Sequence, residues 1–182
     1  MQKSYLGIKL FGSNINQKLF SERVEILIKE IDNFIFYLVI AGTETSQIKG
    51  ISAAGINSKA RRKTALADAE FLLFGPSIDH KYKLPFLNAG VTPSLISYVC
   101  SKLICASPIV VPIGIKETPY FHHLNVENYL LGPAQCLTTG NSMNKKRVLN
   151  LYNKGLEIGK SSNKPIFISE SVPGGTTTAQ AV

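Results

Sequence analysis

Apolar and polar positions follow two different rhythms along this chain, and each change of rhythm marks an element. Between Asn16 and Asp32, Leu19, Val24, Ile26, Leu27 and Ile31 recur among charged residues near the helical period, which predicts an amphipathic helix. The run Phe34 to Ala41 is unbroken, rich in aromatic and β-branched residues and stopped by Gly42. It reads as a strand buried on both faces. Lys63 to Asp68 is a short helical stretch leading into a second apolar run, Glu70 to Phe74, expected as a strand that stops at Gly75-Pro76. Thr92 to Cys105 opens with a threonine cap and a proline at the first helical position, then carries Leu95, Ile96, Val99 and Leu103 before the strand Pro108 to Ile113. Asn144 to Ser161 is a basic helix with Val148, Leu149, Leu151, Tyr152, Leu156 and Ile158 on its apolar side, and it feeds the strand Pro165 to Ser169.

Helix followed by apolar strand, four times over, predicts an α/β fold: a Rossmann-like, mostly parallel sheet with helices on both faces. Residues 1–182 are expected to form one α/β domain, with 1–33 as a helical segment within it. No internal repeat or low-complexity stretch is visible. Lys116 to Gly132, with Pro119 and no clear periodicity, is the expected irregular excursion.

Composition narrows this picture. Of 182 residues, 45% are hydrophobic, enough for a packed core and too many for intrinsic disorder. The formal net charge of +8 invites an anionic partner, but the basic residues are spread along the chain as well as in the short runs Lys59 to Lys63 and Lys145 to Arg147. No aromatic platforms interleave with those runs, so nucleic-acid binding is not expected. Cys100, Cys105 and Cys136 form an odd set with no Cys-x-x-Cys pair, which argues against a disulfide framework and a zinc site; they are expected as small buried hydrophobes. The longest apolar stretch, Phe34 to Ala41, is far below the roughly 20 residues that span a bilayer. A cytoplasmic protein without membrane association is expected.

In an open parallel sheet the ligand lies beyond the carboxyl ends of the strands, so the strand stops are read as a set. They are Gly42-Thr43-Glu44-Thr45, Gly75-Pro76-Ser77, Gly114-Ile115 and Glu170-Ser171-Val172-Pro173-Gly174-Gly175-Thr176-Thr177-Thr178. In the last, two glycines and three threonines precede the helix-forming run Ala179-Gln180-Ala181, placing free N–H groups and hydroxyls at the positive end of a helix. Two readings stand side by side: a phosphate cradle, or a glycine turn followed by a threonine cap. The loop is neither a Walker loop, having no lysine after its glycines, nor a G-x-G-x-x-G fingerprint. Glu170, just before it, could hold a ribose hydroxyl or place a proton on a nitrogen heterocycle, or be a solvated charge. Glu44 faces the same choice, since Thr43 could simply begin a helix cap.

The remaining candidates carry less. His122 and His123 are adjacent and have no ligand partners at metal spacing, so no metal site is expected. Ser52-Ala53-Ala54-Gly55 and Thr138-Thr139-Gly140-Asn141 suit close contact with a ligand and ordinary turns equally. The Lys59 to Lys63 run could meet phosphates, although a solvated helix start is the commoner outcome.

Six segments together carry a family resemblance: Gly42-Thr43-Glu44-Thr45, Gly50 to Gly55, Ala67-Asp68-Ala69-Glu70-Phe71, Leu87-Asn88-Ala89-Gly90-Val91-Thr92-Pro93, Cys136 to Gly140, and Glu170 to Thr178. In this order they resemble the motifs of the cyanobacterial and archaeal family related to nicotinate-nucleotide:dimethylbenzimidazole phosphoribosyltransferase. The resemblance runs from about Val39 to the last residue. It implies an enzyme of cobalamin lower-ligand synthesis that moves phosphoribose from nicotinate mononucleotide to a benzimidazole-type base, without cofactor or catalytic metal, usually as a homodimer. It implies Gly174, Gly175, Thr176 and Thr177 as phosphate or ribose contacts, Glu170 as an active-site carboxylate, and Glu44 and Ser52 as further substrate contacts. The family's principal catalytic glutamate lies in its C-terminal half, and no residue here matches it. With Val182 only a few residues into the helix after the cradle, the chain is expected to be the N-terminal part of a longer enzyme.

Overall fold

A computed structural model of the chain describes residues 14–31, 33–84 and 92–180. The expected readings at residues 1–13, Leu87 to Val91 and Ala181-Val182 fall outside the described residues. In chain order the elements are α1 (Asn14–Lys29), β1 (Ile35–Ala41), α2 (Ser58–Phe74), α3 (Pro93–Leu103), β2 (Ile109–Ile113), α4 (Lys145–Ser161), β3 (Ile166–Ser171) and α5 (Gly175–Gln180). Short 3-10 turns cover Glu44–Gln47, Tyr129–Leu131 and Leu137–Thr139.

The strands form a parallel sheet in the order β2-β1-β3, with Tyr37 opposite Ile109 on one side and Val39 opposite Glu170 on the other. The chain steps from β1 to one neighbour and then crosses β1 to the opposite edge. That reversal places the ligand crevice of such sheets between the carboxyl ends of β1 and β3.

β1 shows why one helix dominates the packing. Phe36, Leu38 and Ile40 are buried on one face, and Tyr37 and Val39 are only half-buried on the other, so the strand is not sealed equally on both sides as its unbroken apolar run suggested. Onto the buried face packs α2, which presents Ala65, Leu66, Ala69 and Leu72 at helical spacing; its alanines leave room for Ile40, Val110 and Phe121. Full burial of a side chain such as Ile40 contributes about 1.5–3 kcal/mol. On the other face α4 runs alongside β1, β2 and β3, and Val39, Ile113, Ile168, Leu151 and Ile158 line a cavity of about 310 Å³ left between them.

One expected strand is helix. Glu70 to Phe74 continues α2 to its end, because Leu66, Ala69, Glu70 and Leu72 keep the helical period of buried positions and Gly75 closes the helix, its N–H bonding the Phe71 carbonyl at 2.7 Å. Gly75-Pro76-Ser77 therefore ends a helix and does not lie at the carboxyl edge of the sheet. Glu70 is almost fully buried, with its carboxylate accepting the Lys81 and Tyr82 N–H groups at 2.9 and 2.7 Å and the Tyr120 hydroxyl at 2.5 Å. Thr92 caps α3 through Ser94 N–H, as Thr-Pro predicts, and residues 116–132 are irregular apart from a single β-bridge from His123 to Val110 and the 3-10 turn Tyr129–Leu131.

The cysteines depart from expectation. Cys100 and Cys105 are exposed and Cys136 is half-buried. Cys100 follows the outward face of α3, shared with Ile96, Val99 and Leu103, and Cys105 sits at positive φ in the turn that ends it.

Candidate functional site

β1 and β2 both end in glycine, for a steric reason. A Cβ on Gly42 would stand 2.5 Å from the Gly114 carbonyl oxygen, and one on Gly114 would stand 3.0 Å from that of Gly132. Gly42 N–H bonds the Ile113 carbonyl, and its own carbonyl accepts Ala134 N–H, which ties the Pro133-Ala134 segment to the end of β1. The next residue, Thr43, caps the 3-10 turn by accepting Thr45 N–H at 3.2 Å, realising the local capping role open to it.

A crevice of about 490 Å³ opens where β1 and β3 end. Leu38, Ser169, Glu170 and Ser171 come from the strands, Thr64, Asp68 and Leu72 from α2, Thr92 and Ser94 from the start of α3, Ser52 to Gly55 from the loop before α2, and Val172 to Gly174 and Thr176 from the final loop. Among the described residues the walls carry hydroxyls and two carboxylates, and no lysine or arginine. Asp68 accepts the Thr92 hydroxyl at 3.0 Å and the Ser171 hydroxyl at 2.8 Å, so α2, α3 and β3 meet at one carboxylate. Ser52 Oγ accepts Ala54 N–H at 3.1 Å, which holds the Ser52 to Gly55 loop in a turn on the crevice wall. Glu170 is exposed and makes no hydrogen bond or ion pair among the described residues. The Ser169 hydroxyl is buried without a hydrogen-bond partner among the described residues.

In the last loop, Gly174 lies at φ +78° with the Ser46 backbone 3.1 Å from where its Cβ would be, so glycine suits both its conformation and the close approach. Gly175 N–H bonds the Val172 carbonyl at 2.8 Å and is thus taken up within the turn. Gly174 and Thr176 line the crevice, and Gly175 and Thr177 do not.

Of the residues named from the sequence, the fold brings Glu170, Ser52, Gly174 and Thr176 together. Glu44 stands apart, in a neighbouring cavity of about 190 Å³ beyond the ends of β1 and β2, where Arg62 reaches it at 2.7 Å and Lys116 at 3.7 Å. Pro173 borders both cavities. His122 is exposed and His123 bonds the Phe121 carbonyl; among the described residues no group of three or more His, Cys, Asp or Glu is placed to hold a metal ion. Sequence reasoning passed over Asp68 and Ser169, and named Arg61 only as a member of the Lys59 to Lys63 run. Asp68 stood inside a quoted motif, but only the pairing of its neighbours in space gives it a role.

The sheet and crevice define an α/β protein with a ligand-sized cleft at the carboxyl ends of its strands. The chain is similar over its whole length to UPF0284 proteins: 84% identical over 182 residues to one of Prochlorococcus marinus subsp. pastoris and 70% to one of Prochlorococcus marinus strain MIT 9312, in each case spanning 47% of the relative. A UPF0284 protein of Parasynechococcus marenigrum is 41% identical over 177 residues, which are 97% of this chain and 45% of that protein. The chain thus spans about half the length of the curated relatives it matches. No protein-family model matches it. Among the described residues no helix is long and apolar enough to cross a membrane.

Proposed function

We propose that this chain supplies the nucleotide-facing part of a phosphoribosyltransferase that takes phosphoribose from nicotinate mononucleotide and passes it to a benzimidazole-type base in cobalamin lower-ligand synthesis. The observation that supports it is the convergence of Glu170, Ser52, Gly174 and Thr176 on one crevice, although they are drawn from segments more than a hundred residues apart. In this reaction the bond from the anomeric carbon to the nicotinate nitrogen breaks, an imidazole nitrogen of the acceptor forms the new bond, and that ring loses its N–H proton. Positive charge gathers on the ribose as nicotinate leaves, and a carboxylate beside it lowers the barrier. Glu170 and Asp68 are the carboxylates of the crevice. Glu170, open to solvent and unpaired, serves the ribose or the acceptor ring; Asp68, already bonded to two hydroxyls, positions the wall. The resemblance adds a cytoplasmic homodimer working without cofactor.

A second reading draws on the 47% span of the relatives. Here the chain binds the nucleotide and turnover needs the other half of the family's length, which would carry the principal glutamate. Calorimetry with nicotinate mononucleotide, followed by assay of nicotinate release with and without that half, tests both. Binding with release from this chain alone supports the first reading. Release that appears only on adding the other half supports the second. Absence of heat at millimolar ligand overturns both.

A further inference from the structure

The cavity beyond β1 and β2 has a character the crevice lacks. Five cationic side chains line it, Lys59, Arg61, Arg62, Lys63 and Lys116, against two carboxylates, Glu44 and Glu117. The carboxylates are already engaged: Glu44 by Arg62 and Lys116, and Glu117 by Lys63 at 3.3 Å and Lys81 at 2.9 Å. Lys59 and Arg61 are left without an acidic partner among the described residues.

Arg61 is the unusual member. It is 9% exposed, one of its terminal nitrogens donates to the Ser52 carbonyl at 3.1 Å, and its Nε is buried with no acceptor among the described residues. A guanidinium is rarely buried unless paired, and an oxyanion bound in the cavity that Arg61 lines would supply the counter-charge it lacks among the described residues. Its place is fixed by the backbone: Gly55 packs so closely that a Cβ there would stand 2.8 Å from Arg61 N. The closely packed backbone of Gly42 and Gly114 also lines the cavity.

We propose that this cavity is a binding site for an oxyanion, the phosphate or carboxylate group of a small ligand, with Arg61 as its buried ligand and Lys59 as the second cation. It is separate from the crevice, shares only Pro173 with it, and stands whether or not the phosphoribosyl reading does. An arginine fork recognises either oxyanion bidentately, and the surplus cations favour the more highly charged one.

The test is calorimetry of the full chain with inorganic phosphate and, in a parallel arm, nicotinate, at low salt and with circular dichroism to check the fold. Saturable binding of either anion is expected, with phosphate the tighter. Arg61→Gln should weaken it at least tenfold and Lys59→Ala several-fold, while Glu44→Gln, which releases Arg62 and Lys116, should tighten it several-fold. If Arg61→Gln fails to fold, the exposed Lys59 and the opposite-signed Glu44 variant decide. No binding of either anion at millimolar concentration, or binding that Lys59→Ala and Glu44→Gln leave unchanged, overturns the proposal.

Discussion

Ser171 at the end of β3 donates its hydroxyl to Asp68 in the middle of α2 at 2.8 Å, joining two residues 103 positions apart across the mouth of the crevice. The same carboxylate accepts from Thr92, which also caps α3. One side chain therefore sets the spacing of three crevice walls.

Asp68→Asn keeps the size of that side chain but replaces one acceptor with a donor that opposes a hydroxyl. The expected outcome is a stable protein, lower in unfolding free energy by about 1 kcal/mol, with nicotinate mononucleotide affinity reduced about tenfold. Thermal melts and calorimetry measure the two separately. Ser171→Ala should act in the same direction and less.

Glu127 and Arg147 make a buried ion pair, with Nε–Oε2 at 2.8 Å and both side chains about nine-tenths buried. Glu127 also accepts Gly114 N–H at 2.7 Å, and Arg147 donates to the Gly132 carbonyl at 2.9 Å, so the pair clamps the end of β2. Removing one partner leaves the other charge buried: Glu127→Gln should cost about 3–5 kcal/mol in urea denaturation. Replacing both with apolar residues of similar volume should recover much of that loss.

Stability should also fall on the acid side. Burial pushes the Glu70 carboxyl up, but hydrogen bonds from Tyr120, Tyr82, Lys81 and His80 together outweigh it and hold the group below its ordinary value of 4.5. A carboxyl with a lowered folded value adds stability that is present above about pH 4.5 and lost as pH falls through the folded value. Its partner Tyr120, chiefly through the bond to Glu70, is pushed up to about 12 and so keeps its proton through the neutral range. Denaturant midpoints measured from pH 7 to pH 3 should decline, and Glu70→Gln should flatten the decline while lowering the neutral-pH midpoint.

The three cysteines should separate by reactivity. The Thr138 hydroxyl donates to Cys136 Sγ at 3.1 Å, and this bond, aided by the Thr138 backbone, lowers the thiol below its ordinary value. Alkylation followed by peptide mass spectrometry should show Cys136 modified with a midpoint below that of a free thiol, roughly pH 8.5. Thr138→Val should move it upward.

The parallel sheet was legible because apolar runs report strands directly: β1 and β2 are such runs stopped by Gly42 and Gly114, and β3 opens with one, Ile166 to Ile168. Glu70 to Phe74 misled for a physical reason: five residues of apolar and aromatic character carry both periods, and only the buried alanines a turn earlier show that the helix continues. Within the crevice, the glycine–threonine loop and Glu170 could be read from their chemistry next to a strand end. Asp68 could not, since a charge on a helix looks solvated until the loop that covers it is in place, and for the same reason Arg61 could be read only as one member of a basic run. The outward cysteines belong to the same class, because the orientation of α3 depends on its packing against α2, through Phe71 and Tyr98 with ring centroids 6.1 Å apart, rather than on its own sequence.

The stacked glycines at the ends of β1 and β2 give the two neighbouring cavities unequal evolutionary freedom. Main chain packed this closely leaves no room for a side chain, so Gly42 and Gly114 should tolerate almost nothing. The rim residues above them can vary singly without moving the strands. Selection for altered ligands in a randomised library should therefore return changes at Lys59 and Lys63 over an unvarying pair of glycines, and changes at Ser52 and Thr176 in the crevice, which those glycines do not line.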